Sequence, residues 1–304
     1  MTGAFLTALF FAGNAVCARR AALHYGGTAG NFLRLLLAAA LLGAWAHAAG
    51  AGLGGGALAW FLLSGAVGFG LGGLTMFHAL PRIGSNLAML IVQCGSAVAA
   101  ALAEWLWLGT RLSAAQVALA ALTLGGVLIA LLGPIGPMRP MSRSGFAAGV
   151  ILAAISAAAQ GGAAVLSRKA FTVLRAQDFL MDGATSAYQR VLGGLAVGTL
   201  ALVVIRLWPA AGHRTGAAAP VPAEQLPPWT WVIFNTLLGP VLGVTCFQWA
   251  LRSTPAGIVQ SIVATAPLLT VPIARALEHS RTTPRYWAGA VLAVLGAAGL
   301  AVAR

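Results

Sequence analysis

Polar side chains set within long apolar runs are the residues here that could do chemistry, since a hydrogen-bonding group surrounded by hydrocarbon must find a partner or a solute. In the third apolar run Ser64, Thr75 and His78 fall at i, i+11 and i+14, one face of a helix that turns about 100° per residue. In the fourth, Asn86, Gln93 and Glu104 fall at i, i+7 and i+18 and form a second stripe. Thr7 with Asn14, Ser156 with Gln160, and Gln260 with Thr265 add three further pairs. Amides both donate and accept hydrogen bonds, so they suit a zwitterion or another polar metabolite. We therefore expect Asn14, Phe77, His78, Gln93, Gln160, Gln248, Trp249 and Gln260 to line a substrate cavity, the aromatic rings covering its apolar part. His78 titrates in the physiological range and Glu104 does so if desolvated, which makes these two the candidates for coupling transport to protons. Facilitated diffusion competes with that reading, because no carboxylate stands in the middle of an apolar run.

The elements that must carry these residues are membrane helices. Sixty per cent of the chain is hydrophobic, 8% is charged, and the mean hydropathy is +0.89. Such a surface calls for lipid as solvent. Each span needs roughly 20 apolar residues, and Gly, Pro and charged residues divide the chain into candidate helices at 3–23, 29–49, 57–80, 84–108, 113–133, 145–172, 183–208, 229–251, 256–279 and 284–303. Uninterrupted runs such as Val117 to Leu132 lack the alternation of barrel strands. The first run has no preceding basic segment and reads as a retained helix rather than a cleaved signal. The net charge of +13 sits mostly between apolar runs, where it meets headgroups and water, and no basic patch interleaved with aromatics points to nucleic acid. Arg34 and Arg190 are expected at headgroups or helix-end carbonyls.

The chain repeats. Shifting the second half back by 171 residues aligns Trp60 with Trp231, Gly68 and Gly72 with Gly239 and Gly243, Phe77 with Gln248, and Leu124-Gly125 with Leu295-Gly296. Earlier in each half Arg34 matches Arg190 at an offset of 156. The Gly/Pro-rich stretch from Gly133 to Pro140 divides two units, 1–137 and 145–304, joined by a linker at 138–144. A five-helix unit has an odd number of spans, so its copy enters from the opposite face. The expected fold is all-α integral membrane, ten transmembrane helices as two inverted five-helix repeats around a central cavity, a construction that recurs in secondary transporters.

The Arg that opens the second helix of each half (Phe32-Leu33-Arg34 and Tyr188-Gln189-Arg190), together with the junction Leu108-Gly109-Thr110-Arg111-Leu112-Ser113-Ala114-Ala115-Gln116, resembles the EamA-type drug/metabolite transporter superfamily over essentially the whole chain. The resemblance implies a multi-pass carrier in the cell (inner) membrane that exports amino acids or similar small metabolites by alternating access. It also implies cytoplasmic termini. Basic residues near loops number nine on the side reached after odd helices and six on the terminal side, a bias that points the other way. Relatives often carry an acid where Thr110 stands. The expected partners are a small-molecule substrate and membrane lipid, with a monomer as the working unit. Neither a cofactor nor a metal is expected, since no phosphate loop or ligand cluster occurs. Two alternatives are an exporter of drugs or lipophilic cations, and an intramembrane hydrolase using Ser64 or Ser96 with His78.

Overall fold

The computed structural model describes residues 1–131, 143–207, 226–270, 273 and 284–302, and every regular element among them is helical. In chain order these are α1 (Thr2–Tyr25), α2 (Gly27–Ala48), α3 (Leu58–Gly65), a π-helical stretch (Ala66–Gly72), α4 (Gly73–Leu108), α5 (Ala114–Leu131), α6 (Arg143–Ala176) and α7 (Gly183–Leu207). They continue with α8 (Pro228–Thr236), a second π-helical stretch (Leu237–Val241), α9 (Leu242–Leu251), α10 (Ala256–Val263) and α11 (Pro284–Val302). Six described helical segments are long and apolar enough to cross a bilayer: Gly27–Ala48, Leu58–Ser85, Leu87–Leu108, Arg143–Ala176, Gly183–Leu207 and Pro228–Leu251. Ala114–Ala130 and Ala256–Thr270 are shorter and also apolar. The chain is thus an all-helical membrane protein. Of the sequence expectations, Asn86's side chain and most of the linker at 138–144 lie outside the described residues, while Arg143 and Ser144 already belong to α6.

Local chemistry sets the boundaries. Gly26 (φ 80°) separates α1 from α2 and Gly84 (φ 76°) breaks α4, both in a backbone region that a side chain would strain. Ser113 and Gln116 form a capping box at the start of α5: Ser113 N donates to Gln116 Oε1 at 3.0 Å, and Gln116 N donates to Ser113 Oγ at 3.2 Å. Asp182 caps α7 by accepting from the backbone N–H groups of Ala184 (2.9 Å) and Thr185 (2.8 Å). Burial raises the Asp182 carboxyl's pKa, but the hydrogen bonds from Thr185, Ala184 and Trp45 outweigh it and hold the group below the ordinary carboxylate value. Prolines open α8 and precede α10, where no N–H is needed.

The two π-helical stretches begin at Ala66 and Leu237, 171 residues apart, which is the offset of the sequence repeat. Each is a turn wider than an α-turn. Their glycines let backbones approach: a Cβ on Gly68 would stand 2.8 Å from the Cβ of Ala163, and one on Gly239 would stand 2.6 Å from Asn14 Oδ1. The longest contact is α4 against α6, with α5 on α11 and α2 on α7 as further pairs.

Candidate functional site

Where α1, α2, α4, α6 and the two π-helical stretches converge lies a cavity of about 50 Å³. Asn14 lines it from α1, Arg34 from α2, Gly68 and Phe69 from the first π stretch, and Met76, Met89 and Gln93 from α4. Gln160 of α6 and Gly239 with Pro240 of the second π stretch complete the wall. That volume holds a few waters rather than a metabolite. A second groove of about 690 Å³, between α4, α5 and α10, is larger but is walled by exposed Val98, Leu102, Trp105 and Val117 on the outer surface. It lacks converging polar groups other than Thr110, Arg111 and Ser261. The smaller cavity carries the chemistry.

Its polar groups are fixed by neighbours. Ser156 Oγ donates to the Gly72 carbonyl at 2.8 Å, a carbonyl at the end of the widened turn, and Gln160 Nε2 donates to Ser156 Oγ at 3.1 Å. Asn31 Nδ2 donates to the Phe69 carbonyl at 3.2 Å, while Asn31 Oδ1 accepts from Arg34 Nε (3.0 Å) and Nη2 (2.8 Å). The Arg34 guanidinium lies over the Phe77 ring, 4.7 Å from its centre, and 5.9 Å from that of Phe69. From the other half Arg190 reaches the same Phe69 ring at 5.1 Å. Turned so that its oxygen faces the cation, the Gln248 amide accepts from Arg190 Nε (3.1 Å), from Arg190 Nη1 (2.6 Å) and from Ser167 Oγ (3.2 Å). Phe77 and Gln248, which the repeat aligns, thus each hold the arginine of their own half. Asn14 is 7% exposed, and its Oδ1 is buried with no hydrogen-bond partner.

Of the eight residues expected around the cavity, Asn14, Gln93 and Gln160 line it. Phe77 and Gln248 are fully buried beside it, behind the two arginines. The other three lie elsewhere. Trp249 is 52% exposed and faces outward, and Gln260 is buried within α10. His78 Nε2 is 3.1 Å from Thr28 Oγ1 at the corner between α1 and α2. A π-helical stretch intervenes between Ser64 and His78, and another precedes Trp249, so counting at α-helical pitch misplaces what lies beyond it. Arg34 and Arg190, expected at headgroups, are instead 6% and 5% exposed at the centre of the bundle. Their position within each half could have flagged them, because a guanidinium about two turns inside an apolar run is poorly placed to reach water at the helix end.

Glu104 is held by structural contacts. It is 2% exposed; Oε2 accepts from the backbone N–H groups of Ala256 (2.6 Å) and Gly257 (3.3 Å), and Oε1 pairs with Arg168 Nε at 3.3 Å. The serines of the hydrolase alternative hydrogen-bond to the backbone. Ser64 Oγ donates to the Ala163 carbonyl at 2.6 Å and Ser96 Oγ to the Gln93 carbonyl at 3.0 Å, neither of them paired with His78.

Comparison with known proteins points in one direction. The EamA-like transporter family matches residues 1–132 and 147–302. None of the curated proteins compared matches the chain. A solved structure described only as "Crystal structure of protein" is similar in fold, with a TM-score of 0.62 and 20% identity, over 98% of this chain and 96% of its own.

Proposed function

The chain belongs to the EamA-like transporter family, and from that membership we propose that it is a secondary carrier exporting amino acids or similar small metabolites across the cell's inner membrane. Membership makes it a membrane transporter of small solutes. The finer reading is two inverted five-helix halves that alternate access to the cavity between them. What carries it is the recurrence of the same irregular feature in each half: π turns at Ala66 and Leu237, at the sequence offset, both walling one cavity. Asn14, Gln93 and Gln160, with Arg34, form the substrate site in this reading. The carrier works as a monomer by facilitated diffusion, since Glu104 is held in an ion pair and His78 sits off the cavity. Export of lipophilic cations is disfavoured by the two buried guanidiniums at the centre.

The test is uptake by proteoliposomes of a labelled panel of amino acids and related metabolites. Gln93→Ala and Gln160→Ala are expected to lower uptake of the transported solute by about tenfold each, the worth of a buried hydrogen bond, while Leu200→Ala on the exposed face of α7 leaves it unchanged. Full activity in both glutamine variants would reject the site. We propose cytoplasmic termini, so a fluorescent reporter fused after the last residue is expected to light up in intact cells. A periplasmic-only phosphatase signal from the same position would reverse that orientation.

A further inference from the structure

Two arginines are buried within the helical bundle, and the described residues supply them with rings and amides but no acid. Among the described residues Glu104 is engaged by Arg168, Asp182 caps α7, and Asp178 is exposed on a turn. Arg34 and Arg190 instead both stack on the Phe69 ring, with Asn31 and Gln248 as acceptors. A guanidinium keeps its proton in proteins. Burying two of them against one ring without a counter-charge is therefore costly unless an anion joins them for part of the working cycle. Arg34 is the charged residue in the cavity wall, and its Nε and Nη2 converge on Asn31 while no protein acceptor among the described residues takes Nη1. Across the same cavity the buried side-chain oxygen of Asn14 has no partner, so that amide is free to turn its NH2 group toward a ligand. Arg190 stands one residue behind the wall: a Cβ on Gly68 would be 3.1 Å from its Nη2.

We infer that the solute moved by this carrier bears an anionic oxygen group, a carboxylate or a phosphate, bound by Arg34 within the field of Arg190, with Asn14, Gln93 and Gln160 contacting the rest. The inference rests on the carrier reading above and narrows it. Guanidinium recognises such oxygens through paired N–H donors. The same two charges repel ammonium and lipophilic cations, so the site selects by sign before it selects by shape.

Isosteric pairs test it on the full-length protein. Wild type in phosphatidylcholine vesicles is given labelled N-acetylalanine against N-acetylalaninamide, succinate against succinamide, glycerol 3-phosphate against glycerol, and cadaverine and tetraphenylphosphonium as cations. The same compounds are scored for thermal stabilisation in detergent. We expect at least one anion to be favoured over its uncharged partner by about tenfold or more in apparent affinity, the scale of a charge-assisted hydrogen bond. Arg34→Gln should erase that preference and Arg34→Lys should keep part of it. If Arg34→Gln does not fold, the anion-to-amide ratio of the wild type decides alone. Equal handling of charged and uncharged partners, or a preference that survives Arg34→Gln, overturns the inference and leaves the carrier intact. Failure to move any compound of any charge overturns the carrier reading itself. Stabilisation in detergent by added phosphatidylglycerol, with no response to free anions, assigns the arginines to lipid and also overturns it.

Discussion

Replacing Glu104 with alanine is expected to cost the fold about 3–5 kcal/mol, the penalty for removing one partner of a buried ion pair. The carboxylate ties three parts of the bundle: α4, which carries it; Arg168 of α6; and the first two N–H groups of α10. Arg168 in turn donates from Nη1 to the Leu251 carbonyl at 2.9 Å, closing the end of α9. Without the acid, a cation that is 15% exposed has no counter-charge and two helix-start donors lose their acceptor. Equilibrium unfolding in detergent measures the loss, and a change below about 1 kcal/mol would mean the pair is solvated like a surface bridge. Glu104→Gln combined with Arg168→Met should recover part of the deficit, because the buried charge is then gone altogether. Simple loss of packing would give no such recovery.

Gly65→Val should be nearly as damaging, for a steric reason. Gly65 has helical angles (φ −69°, ψ −43°), so no backbone strain demands glycine there. What demands it is α7: a Cβ on Gly65 would overlap the Arg190 carbonyl, and a Cβ on Gly193 would overlap the Leu62 carbonyl in return. The two backbones touch reciprocally, so neither can yield as a flexible side chain does. Overpacking of this kind costs typically about 1–3 kcal/mol and more where the obstacle is main chain. Arg190 sits at the point of contact, so the variant is also expected to lose most of its transport. Gly162→Ala on α6 is the control, since nothing stands within 4 Å of the added methyl. It should be neutral or gain up to about 1 kcal/mol from helix propensity. Equal behaviour of the two variants would show that the α3–α7 approach is looser than described.

Much of this molecule is decided by the order of its residues. The apolar runs between Gly, Pro and charged breaks become the helices, because backbone groups in lipid must be satisfied within their own segment. The 171-residue offset, legible in Trp60/Trp231 and the glycine pairs, predicts where the second π stretch begins. Asn14, Gln93 and Gln160 stood out because an amide in an apolar run is conspicuous, and the cavity gathers them.

Facing was not legible. In water a helix shows its core side by an apolar stripe, but lipid tails are as apolar as a protein interior, so Trp249 directed outward and Phe77 directed inward look alike in the sequence. The π stretches then rotate everything that follows them, which is why His78 meets Thr28 at a helix corner instead of the cavity. Only packing could settle the charged residues. Glu104 became a helix cap because α10 happens to start against it, and Arg34 and Arg190 came to share one phenylalanine because two halves of the chain close upon each other. Composition selects the solvent for each helix, but which side chain meets which is fixed by contacts between segments as many as 258 residues apart, and no local pattern encodes them.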